Sequence, residues 1–250
     1  MLKQEAEVRE VLVFDIWGDF AHFKKNYATT SALTYNFPPR NTIAGIIGAI
    51  LGLKRADFPE KLSPEKSYIG VSILSPIMKK TITMNLIHTK PSESLIFKNN
   101  FGYFKKHTQI PFQFLSNISF RVYFSTDDEE MFSQLYTYLK NHKSHYTVSL
   151  GLSNLLCNFK LIGKKTIRKK EVANKEVEVL TVIPMNKVKE VNVFKNPKMN
   201  IENLPRFIDS SRTVHEYQEV LSSMDPEKPL FVVPRDTLWE IENDKFISFL

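Results

Sequence analysis

The chain has 250 residues, 42% of them hydrophobic, which is enough apolar material for a packed core and too much for a disordered segment. The balance of 34 Lys and Arg against 27 Asp and Glu, net +7, favours a polyanionic partner. A single cysteine, Cys157, excludes an intramolecular disulfide framework and a cysteine-built zinc site. The charged start MLKQEAEVRE lacks the apolar core of a signal peptide, and the longest apolar run, Ile43 to Leu53, is too short to span a bilayer. These features predict a cytoplasmic protein with no membrane partner.

In chain order, the first expected strand is 8 to 16, with Val8, Leu12, Phe14 and Ile16 on one face and Arg9 and Asp15 on the other, stopping at Trp17-Gly18. A loop over 18 to 40 ends in Pro38-Pro39. Asn41 is then expected to cap a helix whose Ile43, Ile46, Ile47, Ile50 and Leu51 form one buried stripe. Gly45, Gly48 and Gly52 lie opposite much of that stripe, where each costs about 1 kcal/mol relative to alanine, so close packing is expected there. Period-two alternation over 69 to 88 reads as one strand bent at Pro76, or as two. A strand over 118 to 125 leads into a helix started by Thr126 and Glu129, with Phe132, Leu135 and Leu139 buried. A short strand over 146 to 150 closes this half.

If 69 to 88 is one strand, the order is β-α-β-β-α-β, which predicts an α+β, ferredoxin-like fold of the kind used by RNA-recognition modules. The connection from 89 to 117 is too long for a simple hairpin loop. It interleaves Phe97, Phe101, Tyr103, Phe104, Phe112 and Phe114 with lysines, the composition of a binding hairpin. From Lys79 to His107 there are six Lys against one acid, Glu93, and from Lys160 to Lys170 six basic residues and no acid. The two stretches read either as an anion track or as two solvated hairpins. Beyond about residue 151, short strands are expected over 159 to 163, 176 to 183, 188 to 194, 230 to 233 and 238 to 242. The division expected is a ferredoxin-like RNA-binding domain over 1–155, with the insertion at 89–117, and a smaller β-rich domain over 156–250.

Residues 34 to 53, TYNFPPRNTIAGIIGAILGL, follow Trp17-Gly18 and Ala21-His22-Phe23. This combination resembles the fifth CRISPR-associated (Cas) protein family, in which a strand ending in WG leads through an aromatic-rich loop to a PPR-type turn and a glycine-studded helix. The resemblance is strongest over 8 to 53, extends through Gln109 to Leu115 and the 118 to 151 unit, and fades beyond. It implies a superfamily of ferredoxin-like RNA binders (RAMP) and a single-copy, non-catalytic subunit of type I (Cascade) antiviral surveillance ribonucleoproteins. Such a subunit would bind and cap the 5′ handle of the CRISPR RNA (crRNA), with the insertion as a thumb. Its partners would be the crRNA, the backbone and large subunits and, through the complex, target DNA.

For that role the candidate RNA-binding residues are Phe23, Lys24, Lys25, Tyr27, Tyr35, Arg40, Asn41, Lys105, Lys106, His107, Gln109 and Gln113. The aromatic rings are candidates for base stacking and Lys24 and Lys25 for neutralising the backbone. Arg40, at the expected helix start, is a candidate to share a phosphate with the helix dipole. In one CRISPR subtype the family's member is a metal-independent endoribonuclease that processes precursor crRNA within the repeat. The alternative is therefore catalysis by Tyr35, Lys106 and His107 as acid/base groups. No GxxxxGKS loop or GxSxG elbow is present, and His142 with His145 lacks a carboxylate or cysteine set, so no cofactor or metal is expected.

Overall fold

The structure, a computed structural model, describes residues 7–27, 31–87, 107–226 and 228–250. It is an α+β chain made mostly of strands. The first strand, β1, runs Val8–Ala21, past the expected stop at Trp17-Gly18, because the strand His107–Thr126 pairs with it as far as Ala21, while Asn158–Glu171 pairs with it only to Trp17. After it come helix α1 (Arg40–Leu51), a short helix α2 (Phe58–Lys61), and strands β2 (Ser67–Ile73) and β3 (Met78–Ile87). The 69 to 88 stretch is thus two strands, broken at Ser75-Pro76. Both pair with one long strand, β4 (His107–Thr126), which takes in the expected 118 to 125 strand. The change of partner on β4 falls at Asn117, whose φ of 51° bends the strand between its pairing with β2 and with β3. Helix α3 (Glu129–Lys140) begins at Asp128, whose Oδ1 accepts from Met131 N at 2.9 Å, so the cap lies two residues beyond Thr126.

The expected strand over 146 to 150 does not form. Ser149 makes one isolated bridge to Leu156, and β5 (Asn158–Glu171) pairs with β1 in its place. Strands β6 (Val177–Val179), β7 (Ile183–Pro184), β8 (Val188–Val191), β9 (Met199–Ile208), β10 (Val214–Ser223), β11 (Leu230–Pro234), β12 (Thr237–Glu242) and β13 (Lys245–Ile247) follow. The β9–β10 hairpin has no counterpart among the strands expected from sequence. Among the described residues ten strands form one sheet, in the order β2-β4-β1-β5-β12-β13-β6-β11-β8 with β3 on β4, and β7, β10 and β9 form a second. The large sheet therefore continues across the expected division at 155/156.

Alternation on β1 buries both faces. Leu12, Phe14 and Ile16 join Phe120, Val122 and Phe124 of β4 and Ile69 and Val71 of β2 under α1 and α3. Val11 and Val13 meet Trp239, Ile247 and Phe249 from the C-terminal segment on the other side. The α1 stripe of Ile43, Ile46, Ile47, Ile50 and Leu51 is buried as its period requires. α1 ends at Gly52, whose φ of 76° is the left-handed cap that glycine adopts without strain. Among the described residues no helix is long and apolar enough to cross a membrane.

Candidate nucleic-acid interface

The loop between β1 and α1 is held by its own backbone and by β4. Lys25 N donates to Leu33 O at 2.9 Å, Tyr35 N to Phe23 O at 2.8 Å, and Phe23 N to Thr34 Oγ1 at 2.9 Å. Gln113 N donates to Ala32 O at 2.9 Å, and its side-chain Oε1 accepts from Thr34 N at 3.3 Å. Gln113, a candidate for RNA contact, is thus the tie that fixes the loop to the β3–β4 hairpin.

Burial divides the other candidates. Phe23 is buried against the Phe120 ring, 6.0 Å between centroids, so it does not offer a free stacking face. Tyr35 is 1% exposed and its hydroxyl has no partner among the described residues; burial pushes its pKa up to about 12. Arg40, also 1% exposed, is the first residue of α1, where its Nη2 donates to Ser67 O (2.9 Å) and Ser67 Oγ (2.7 Å). Burial pushes its pKa down to about 10. The guanidinium staples α1 to the start of β2 and is not placed to meet a phosphate. Asn41 is not the cap: the helix starts one residue earlier, after Pro39, and Asn41 Oδ1 accepts from Ile208 N of β9 at 3.3 Å.

Lys25 is also committed. Its Nζ lies 2.8 Å from the buried carboxylate of Glu202, which accepts from Asn36 N at 2.9 Å as well. Glu202 was invisible as a partner in the sequence, because 166 residues separate it from Asn36. Lys24, Tyr27, His107 and Gln109 remain on the surface, with Tyr27 65% exposed. Lys79 and Lys80 of β3 are exposed too, and neither forms an ion pair with a described carboxylate. Lys79 lies within electrostatic reach of Lys25 and Glu202, so the basic hairpin and the loop share one side of the molecule. Lys105 and Lys106, with most of the aromatic insertion, lie outside the described residues.

Between loop and hairpins is a cavity of about 450 Å³, lined by His22 and Phe23 of the loop, Asn41 of α1, Phe112 of β4, and Pro205 and Ile208 of β9. Tyr35 and the exposed Lys24 also border it. Sequence reasoning missed β9 as its wall and His22 as its residue. His22 is 2% exposed, with Nδ1 2.8 Å from Gln113 O and its ring 5.3 Å from that of Phe112. The chain's path past it is tight: a Cβ on Gly151, whose φ is +99°, would stand 1.9 Å from His22 O.

Of the catalytic alternative, Tyr35 and His107 are not brought together, and Lys106 lies outside the described residues. His107 opens β4, six positions before Gln113, and at about 3.4 Å per residue that is roughly 20 Å along the strand. Gln113 touches Thr34, the neighbour of Tyr35. Proton transfer between side chains needs about 3 Å. Burial also favours the protonated form of the Tyr35 hydroxyl.

Residues 11–109 match the family described as CRISPR-associated protein (Cas_Cas5). No curated protein matches the sequence. Among solved structures, a chain of a "CRISPR RNA-guided surveillance complex" is similar with a TM-score of 0.52 at 10% identity, covering 90% of each chain. A CRISPR protein from Archaeoglobus fulgidus is similar with a TM-score of 0.50 at 11% identity, covering 96% of this chain and 98% of that one. At these identities the likeness is one of fold. The matched residues contain the Trp17-Gly18 segment, the Pro38-Pro39 turn and α1, and over that span the chain is similar to the Cas5 family of CRISPR-associated proteins.

Proposed function

We propose that this protein is a non-catalytic subunit of a CRISPR type I (Cascade) surveillance complex, where it binds and caps the 5′ handle of the crRNA. The observation that carries the reading is the meeting of three features on one side: the basic β3–β4 hairpin, the exposed Lys24 and Tyr27, and the open cavity. Exposed lysines neutralise phosphates, exposed rings stack on bases, and a recess beside them takes a group that leaves the stack. The order β2-β4-β1-β5, with α1 and α3 on one face, is compatible with a ferredoxin-like RNA binder and supports the reading. The hairpin would be the arm of a thumb that meets a backbone subunit, and target DNA would be reached only through the complex.

The test is recovery of the protein from cells and sequencing of its bound RNA. A defined CRISPR-repeat fragment is the expected result; heterogeneous RNA or none overturns the reading. Purified protein in EDTA should leave precursor repeat RNA intact. A single cut within the repeat, lost in His107→Ala, would promote the endoribonuclease alternative.

A further inference from the structure

The large sheet curls back on itself. Leu180 N, just past β6, donates to Phe246 O at 2.8 Å, Val182 N donates to Val71 O of β2 at 2.8 Å, and Leu250 N donates to Ile69 O at 2.9 Å. The face of β1 and β4 turned away from the helices is therefore enclosed, and Val11, Val13, Tyr123, Trp239, Ile247 and Phe249 pack inside it. RNA-recognition modules stack bases on the corresponding face, but here Tyr123 is only 4% exposed and offers RNA no stacking surface. One end of the enclosure is shut by Arg9, whose guanidinium lies 4.2 Å from the centre of the Tyr68 ring. The other end opens into a cavity of about 360 Å³, within the range of small-molecule sites, about 300–1,000 Å³.

The charges at this mouth are matched, with two exceptions. Arg121 Nε and Nη2 donate to Asp15 at 2.7 and 3.0 Å, Lys165 pairs with Glu242, and Lys228 lies 3.9 Å from Asp225. Lys245 and Glu178, which also line the cavity, are neighbours across the parallel β13–β6 pair, and neither forms an ion pair or hydrogen bond with a described residue. Lys245 lies within electrostatic reach of Glu242, but that carboxylate is held by Lys165. Both residues are half-buried, and their charged atoms remain open to solvent.

We infer that the mouth binds a small zwitterion, an α-amino acid with an apolar side chain, its carboxylate on Lys245, its ammonium on Glu178 and its side chain against Ile162 and Ile241 of the lining. An α-amino acid carries its two charges on one carbon, and Lys245 and Glu178 present the opposite charges one strand spacing apart, about 4.8 Å. An anion alone would face the unpaired Glu178, and a cation alone the unpaired Lys245, so either meets a like charge. A nucleic-acid backbone meets the same objection as any anion. The site lies on the opposite face of the sheet from α1 and α3 and does not rest on the reading of the chain as a handle binder.

The test is isothermal titration calorimetry of the full-length protein with L-leucine and L-phenylalanine, each beside its N-acetyl form, which keeps only the negative charge, and its amide, which keeps only the positive one. At least one of the two amino acids should bind, and both of its analogues should bind about tenfold more weakly or worse, the scale of one charge-assisted hydrogen bond. Lys245→Ala and Glu178→Gln should each weaken binding of the intact amino acid by about the same factor. Neither side chain has a partner to lose among the described residues, so the unfolding midpoint of both variants should hold; the analogue comparison needs no variant at all. Failure of both amino acids to bind at millimolar concentration, an analogue that binds as well as its parent, or an affinity unchanged in either variant overturns the inference. Binding of inorganic phosphate where neither amino acid binds would also overturn it and make the mouth an anion site.

Discussion

The two basic stretches look alike in sequence and behave oppositely in the fold. In β5, Lys164, Lys169 and Lys170 lie 2.6, 3.2 and 2.9 Å from Glu10, Glu7 and Glu240, and Lys165 pairs with Glu242. β5 is an interior strand between β1 and β12, and both neighbours carry glutamates. In β3, Lys79 and Lys80 stand opposite Leu115 and Phe114, because the partner segment of β4, HTQIPFQFLS, contains no acid. Among the described residues β3 pairs with β4 alone. A run of lysines is thus an anion track only when its strand neighbours leave it unneutralised. The six basic residues of β5 argue much less for RNA than their number suggests.

The largest effect that would sharpen this contrast is expected from the hairpin. Lys79→Ala with Lys80→Ala should weaken binding to repeat RNA about tenfold and flatten the slope of log affinity against log salt by roughly 1.4, at about 0.7 per phosphate contact on a single strand. Filter binding across a salt series measures it; an unchanged slope would move the track off the hairpin. A smaller effect of opposite sign is expected when the β5 lysines are released. Glu7, Glu10 and Glu240 all changed to Gln should raise affinity for unrelated RNA about threefold and steepen the slope. No gain would mean that geometry, and not pairing, keeps RNA away from β5.

The cavity side of the contrast has a pH signature. Burial, with Lys24 adding to it, holds the His22 pKa below its ordinary value even though the Gln113 carbonyl opposes the shift. The unfolded chain therefore takes up that proton first. The stability this neutral ring contributes is fully present above about pH 6.5 and is lost as pH falls from there through the folded value. The urea midpoint should drop less between about pH 7.5 and about pH 5.5 in His22→Phe than in the parent chain. Equal drops would show that His22 is not the titrating group. The smallest effect belongs to Lys164→Ala with Lys170→Ala: repeat-RNA affinity within about twofold and an unfolding midpoint almost unmoved, since exposed pairs contribute little. A tenfold loss would restore β5 to the RNA track.

Much of the helical architecture was legible in sequence. The isoleucine stripe set the buried face of α1, and the apolar spacing of Phe132, Leu135 and Leu139 did the same for α3. Boundaries were read less well: β1 runs to Ala21 because β4 pairs with it that far, and 146 to 150 forms no strand, the free side of β1 being paired by β5. The candidate site was half legible. Lys24 and Tyr27 are exposed as expected, while Phe23, Tyr35 and Arg40 went into the interior, since an aromatic or an arginine beside a turn has the same local pattern whether it faces core or solvent.

What the sequence determined by itself is whatever repeats locally: the faces of helices and strands, the break at Pro76, and the motif that resembles the Cas5 family. Tertiary structure alone decided which charges are free and which polar atoms are stranded. Lys25 is held by Glu202, Asn41 by Ile208 and the β5 lysines by β1 and β12. Each of these depends on which strands become neighbours, and burial of the apolar faces chooses those neighbours across long stretches of chain. Local spacing carries no record of that choice, because hydrophobic burial is non-directional and acts on whatever surfaces meet.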